Sequence, residues 1–406
     1  MTRYLIRRLH LRSQAEILAE LSETRHGYAE MFIEQARRHA WILKIVARSS
    51  SISHQLLAAF TLHGLACWLT SATKAYVFSD PQSLDELCQA HSFVNSYDES
   101  FARELKNFLD AEKRDRFLLR MPRRTLKAER RTLVMGILNC TPDSFSDGGR
   151  YFEKQAAIDH ALQMVQDGAD LIDVGGESTR PAGTYGVGAK PVSDAEEMER
   201  VVPVIEVLAK STSAILSIDT YKSSIAQAAI NAGASIVNDI SGFQFDPQML
   251  EVVAQSGVSA VVMHIKGTPR DMQQNPSYEN LMDELYQYFD ERLQMASSTG
   301  ISAEQIVIDP GLGFGKRIQD NYEILRRLEE LRGLGCPILV GPSRKSFIGK
   351  VLDLPVDQRL EGTAAAVALS VANGAHIVRV HDVKEIYRVV QIVDKIVARS
   401  GEEEPQ

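Results

Sequence analysis

From Thr132 onward the chain repeats one arrangement eight times: a short β-branched run, then a longer amphipathic stretch. The runs are TLVMGILN, DLIDVGG, AILSIDT, SIVNDI, AVVMHI, IVIDPG, PILVGPS and HIVRVHD. Between them lie helical patterns such as KQAAIDHALQMVQDG, DAEEMERVVPVIEVLAK, SSIAQAAINAG and GTAAAVALSVANG, several ending in the glycine that closes a helix. Parallel neighbours need a crossover connection, so strand–helix alternation predicts a parallel sheet. Eight units in this length predict an α/β fold of the (β/α)8 TIM-barrel type. The alternative is an open doubly wound sheet, which usually stops at about five or six strands.

The stretch before Thr132 reads differently. YLIRRLHL, AWILKIVA and ACWLTSATKAYVFSD carry strand patterns, and YAEMFIEQARRHA, SISHQLLAAFTLHG and PQSLDELCQAHSF carry helical ones. The expected organisation is a small accessory α/β domain over 1–112, a basic linker over 113–131, the barrel over 132–400 and a disordered tail over 401–406. The linker reading rests on nine Lys/Arg against two acids in KRDRFLLRMPRRTLKAERR. His63 and Cys67 stand four apart on the accessory domain and read as packing residues, not a metal pair.

Charge and composition exclude several classes. Lys and Arg total 45 against 53 Asp and Glu, a net charge of −8, which argues against a nucleic-acid partner. No apolar run is long enough to span a membrane. The charged start MTRYLIRRLHLRSQAE does not read as a secretory signal. Four scattered cysteines without a CxxC pair predict a reduced, cytoplasmic setting with neither disulfides nor zinc.

A barrel of this type builds its active site at the C-terminal ends of its strands. Those ends read, in order, Asn139, Asp173 with Glu177, Asp219, Asn238 with Asp239, His264 with Lys266, Asp309, Ser343 with Arg344 and Lys345, and Arg379 with His381 and Asp382. Asp219, Asn238 and Asp309 suit a planar heterocycle with donors and acceptors on its edge. Arg180, Lys345, Arg379 and His381 suit a phosphate or diphosphate. DPGLGFGK, Asp309 to Lys316, has neither Walker A nor GxGxxG spacing. TPDSFSDGG, Thr141 to Gly149, reads as a loop that covers the site. Taken singly, Asp239 and Asp382 read equally well as helix caps, His264 as a satisfied rim histidine, and Phe145 and Phe314 as core. Cys140, beside Asn139, reads as a packed small side chain without a base to activate it.

MGILNCTPDSFSDGG, DVGGESTRP, SIDTYK, VNDISG, MHIKGTP, DPGLGFGK, GPSRKSFIG and RVHDV, in this order over 132–400, together resemble the dihydropteroate synthases of the pterin-binding family. That resemblance implies an alkyl transfer in folate biosynthesis: 6-hydroxymethyl-7,8-dihydropterin diphosphate joins p-aminobenzoate and releases pyrophosphate. It implies that Asp219, Asn238, Asp309, Lys345, Met263 and Arg379 hold the pterin. Phe145, Thr179, Pro181, Phe314 and Ser343 would surround p-aminobenzoate. Lys345, Arg379, His381, Arg180 and Asp147 would carry the catalysis, and Asn139 would hold Mg²⁺. A homodimer is implied as well. The loop after Pro181, AGTYGVGAKPVSDAEE, is longer and richer in glycine than the family pattern. Competing readings are a methyltetrahydrofolate methyltransferase and a non-catalytic pterin-binding module.

Overall fold

The computed structural model describes residues 4–11, 16, 20, 29–48, 51–89, 99–114, 116–122, 124–128, 131–141, 150–178 and 192–397. They fall into two compact units. The first comprises Met1–Arg114 with Met282–Gln287 and Glu329–Gly335, and the second holds the rest.

In the first unit, β1 (Tyr4–Leu9), β2 (Trp41–Ala47), β3 (Ala66–Ser71) and β4 (Lys74–Ser79) form an antiparallel sheet in the order β1-β2-β4-β3. Period-two alternation splits its apolar residues between two faces. Tyr4, Ile6, Leu43, Ile45, Ala75 and Val77 pack with residues of the helices His54–Leu62, Pro81–Gln89 and Glu99–Glu112. Leu9, Ile42, Tyr76 and Phe78 pack with Phe32 and Ile33 of the helix Ala29–Arg38. Arg7 and Lys44 are buried on this second side, and both pair with Glu20 and Asp283, Arg7 also with Glu330. Buried cations persist only with such partners. His63 and Cys67 take the packing role: His63 Nδ1 lies 2.9 Å from the Ala59 carbonyl, and Cys67 Sγ donates to Leu57 O at 3.5 Å.

The second unit opens with a correction. Residues 113–131, expected as a basic linker, contain β5 (Phe117–Met121) paired antiparallel with β6 (Arg124–Ala128). Phe117, Leu119 and Met121 share one side of β5 and pack with Ala128 against the barrel. Summing the charges of this segment hides its period-two apolar face.

Then follow eight parallel strands: β7 (Leu133–Asn139), β8 (Leu171–Gly175), β9 (Ile215–Asp219), β10 (Ile236–Asp239), β11 (Ser259–Met263), β12 (Ile306–Asp309), β13 (Leu339–Val340) and β14 (Ile377–Val380). They run in the order β12-β11-β10-β9-β8-β7-β14-β13, and a parallel bridge between Ile308 and Ile338 closes the ring. This is the predicted (β/α)8 barrel. Leu133, Met135, Leu171, Ile215, Ile236, Val261, Val307, Leu339 and Ile377 fill the lower interior, together with the β5–β6 hairpin. No helix among the described residues is long and apolar enough to cross a membrane.

Candidate active site

Alternation along the strands fixes which residues reach the barrel interior. Two positions beyond the apolar layer, the inward residues become Asp173 above Leu171, Ser217 above Ile215, Asn238 above Ile236, Met263 above Val261, Asp309 above Val307 and Arg379 above Ile377. One further step brings Asp219 on β9 and Asn139 on β7. Register places Asp219 beside both Asn238 and Gly175, and Gly175 beside Asn139. Met263 lies beside Asp309. The period that builds the core therefore also builds a polar layer at the strands' C-terminal ends.

That layer is joined by charge-assisted bonds. Arg379 donates through Nε to Asp173 Oδ2 and through Nη2 to Asp219 Oδ2, each at 2.6 Å. Asn238 Nδ2 donates to Asp173 Oδ2 at 2.8 Å. Asp309 accepts from the Gly311 amide at 2.7 Å. Lys345 donates to the Leu312 carbonyl, and its ammonium stands 4.3 Å from the centre of the Phe314 ring. Phe314 packs in one cluster with Met263, Ile240, Ile265 and Met272. Beside this group, Ser343 Oγ lies 2.9 Å from His381 Nδ1.

The electrostatics follow from burial. Desolvation pushes Asp219 up to about 7, with the charge of Asp173 adding to it and Arg379 opposing. Asp309 is raised by burial against the Gly311 amide and Lys345. Burial lowers Lys345 to about 8 despite Asp309 and Asp219. It works to lower Arg379 too, but Asp173 and Asp219 outweigh it and raise that group. Carboxylates pushed up beside a lysine pushed down form the kind of pattern that clusters at binding and catalytic sites.

The loop after β12 lies close to the chain after β11, and glycine permits this. A Cβ at Gly311 would stand 2.1 Å from the His264 carbonyl oxygen, and one at Gly315 2.3 Å from that of Lys266. Both glycines have positive φ, at 67° and 65°. Lys316, at the end of this loop, is buried. It reaches His264 Nδ1 at 2.9 Å and donates to the carbonyls of Phe314 at 3.0 Å and His264 at 3.3 Å. Burial brings Lys316 down to about 7 and holds His264 well below the usual histidine range. His264 is thus a satisfied rim residue.

Most of the expected residues are described. Asp219, Asn238, Asp309, Lys345, Met263 and Arg379 gather in one mouth, with Asn139, Ser343, His381 and Phe314 on the same rim. Phe314 stands against Lys345 and clusters with Met263. Phe145, Asp147, Thr179, Arg180 and Pro181 lie outside the described residues. Asp239 closes a turn, accepting from the amides of Ser241 and Phe243 at 2.8 Å each. Asp382 begins the last helix, Val383–Ile396, without capping it and pairs with Arg344 instead. Burial pushes the Cys140 thiol up to about 12, as a packed side chain requires.

Two residues escaped assignment from sequence. Asp173 stood among the strand ends, inside the apolar run DLIDVGG and two residues above Leu171, but nothing in its local sequence said which groups it would hold. Lys316 carried no signal beyond its place after a glycine loop.

The model of the family described as "pterin binding enzyme" matches residues 135–381. Dihydropteroate synthase of Bacillus subtilis (strain 168) is 46% identical over 276 residues, 68% of this chain and 92% of the relative. That of Escherichia coli (strain K12) is 43% identical over 261 residues, 64% of this chain and 90% of the relative. Among solved structures, a Yersinia pestis dihydropteroate synthase in a sulfonamide drug complex superposes with a TM-score of 0.65 at 42% identity, covering 70% of this chain and all of that one. A Xanthomonas albilineans dihydropteroate synthase with 4-aminobenzoic acid gives 0.63 at 40% identity, covering 69% and 98%. The chain belongs to the pterin-binding enzyme family and, within it, to the dihydropteroate synthases.

Proposed function

We propose the following division of labour for the dihydropteroate synthase reaction, in which 6-hydroxymethyl-7,8-dihydropterin diphosphate and p-aminobenzoate give 7,8-dihydropteroate and pyrophosphate in folate biosynthesis. The observation that carries it is the buried polar layer in which Asp219, Asn238, Asp309, Lys345 and Arg379 share one mouth above an apolar floor. Asp219 and Asp309 accept from the pterin edge, Asn238 meets it with its amide, and Lys345 donates to its carbonyl or ring nitrogen. Met263 packs on the ring, and Arg379 lies against it.

The electron-rich ring supports positive charge at the methylene carbon as its C–O bond breaks. Stabilisation of the departing diphosphate therefore dominates the barrier. Arg379, His381 and Arg180 supply cations and donors for it. Ser343 steadies His381 through its 2.9 Å contact with Nδ1. The aniline amine of p-aminobenzoate is unprotonated near neutrality and needs no strong base. Phe145, Thr179, Pro181, Phe314 and Ser343 surround it, and Asp147 organises the first loop.

The donor set fits a magnesium ion carried on the diphosphate. Among the described residues no three His, Cys, Asp or Glu side chains form a metal cage. Magnesium binds through one or two protein oxygens plus substrate phosphates and water, and the Asn139 side-chain oxygen is a donor of that hard kind. When bound, the ion supplies charge neutralisation on the leaving group. We further propose a cytoplasmic homodimer. Its support is four free cysteines, and apolar Leu369, Ile392 and Ile396 exposed on the adjacent helices Leu360–Ala372 and Val383–Ile396.

A turnover assay with both substrates and Mg²⁺, following pyrophosphate, tests the reading. Pyrophosphate and dihydropteroate in equal amounts are expected. Methyl transfer from methyltetrahydrofolate without pyrophosphate, or pterin binding without turnover, would contradict it.

A further inference from the structure

Asp173 has no part in the division of labour above, yet it bonds two of the side chains that do. It is fully buried on β8. Its Oδ2 takes two donors, Arg379 Nε at 2.6 Å and Asn238 Nδ2 at 2.8 Å. Through Arg379 it is also joined to Asp219. Among the described residues its buried Oδ1 has no hydrogen-bond partner, and neither does the buried hydroxyl of Ser217, its register neighbour on β9. A carboxylate kept for stability would not be left half satisfied in the interior. Such a group is retained where its geometry serves a site.

We infer that Asp173 is a positioning residue that sets the orientation of both Asn238 and Arg379 for the pterin. Asp173 Oδ2 accepts from Nδ2, so the Asn238 amide is turned with Nδ2 downward and leaves Oδ1 as the acceptor for a ring N–H. It also fixes Arg379 as a fork. With Nε held by Asp173 and Nη2 by Asp219, the guanidinium plane cannot rotate without breaking a charge-assisted bond. One buried carboxylate thus arranges two groups that meet the substrate, and touches none of it itself.

The inference rests on the proposed pterin site, and the test keeps the two apart. Steady-state kinetics are run on the full chain and on Asp173→Asn, an isosteric neutral variant, with both substrates varied. The expected result is a fall of about 10- to 100-fold in kcat/KM for the pterin diphosphate, through its KM. The KM for p-aminobenzoate stays within about twofold. In an Arg379→Lys background the same substitution has a smaller effect, because the two act as a unit. Equal changes in both KM values, no change, or strict additivity with Arg379→Lys would overturn the inference. Should Asp173→Asn fail to fold, a crystal structure of the unaltered protein with 6-hydroxymethylpterin decides. Asp173 still bonded to Arg379 and Asn238, with Asn238 Oδ1 facing the ring, supports the inference. An amide or guanidinium swung away from Asp173 refutes it. If the unaltered protein releases no pyrophosphate, the reading of the reaction fails instead.

Discussion

Leu171 and Asp173 lie on one strand, point to one side and stand two residues apart, yet they belong to regions built on opposite principles. Below, nine aliphatic and methionine side chains from all eight strands meet the apolar face of the β5–β6 hairpin. Above, Asp173, Asn238, Asp219, Asp309, Lys345 and Arg379 bury charge in a layer of their own. The lower region gains from every apolar contact it makes. The upper one holds carboxylates raised and a lysine lowered, an arrangement that works against folding and serves recognition. The barrel thus separates stability from chemistry along the strand axis, and substitutions at its two ends should have opposite signatures.

The sharpest contrast comes from Lys345→Ala. Losing the cation that faces Asp309 and Asp219 should lower kcat/KM for the pterin diphosphate about 100- to 1000-fold. Denaturant unfolding should change by less than in a core truncation, because the ammonium's own desolvation cost is removed together with its attraction to the two carboxylates. A large loss of stability with intact kcat/KM would erase the distinction between the two layers.

Leu119→Ala tests the other end. Leu119 is fully buried between the hairpin and the barrel floor. Truncation should lower the unfolding free energy by about 2–5 kcal/mol. Both KM values should be unchanged below the new transition. A raised KM would mean that the floor reaches the site.

The smallest effect is a pH dependence of the upper layer. Asp219, pushed up to about 7, is faced by Arg379, Asp173, Glu197, Asp239 and Lys345. Lys345 is brought down to about 8. An ionised Asp219 and a protonated Lys345 are both needed for the ring, so kcat/KM for the pterin diphosphate should be bell-shaped with limbs near those values. For stability the sign is fixed too. Folded Asp219 keeps its proton up to about 7, whereas the unfolded carboxyl loses it near about 4. Its stabilising contribution is complete below the lower value and is lost as the pH rises through the upper one. Unfolding free energies of the chain and of Asp219→Asn, compared from pH 4 to 8, check this.

How much of this was legible depends on the range of each interaction. The eight strands were, because β-branched runs bounded by glycine and helical periods report local preference. The rim residues were as well, because inward positions follow from a period of two. Arg379 finding Asp173 and Asp219, some 206 and 160 positions away, was not. Only closure of the ring brings β14 beside β7 and so near β8 and β9. The hairpin was hidden by its charges, since Arg120 and Arg124 draw attention from Phe117, Leu119 and Met121. Asp382 read equally well as a cap or a rim residue because its local sequence suits either, and Arg344 took it as an ion-pair partner.

The most direct measurement is calorimetric titration of 6-hydroxymethyl-7,8-dihydropterin diphosphate into the unaltered protein and into Asp219→Asn. The polar layer requires the dissociation constant to rise about 10- to 100-fold in the variant, because an acceptor for the ring's N–H groups is exchanged for an amide. Equal affinity in the two proteins would contradict the account.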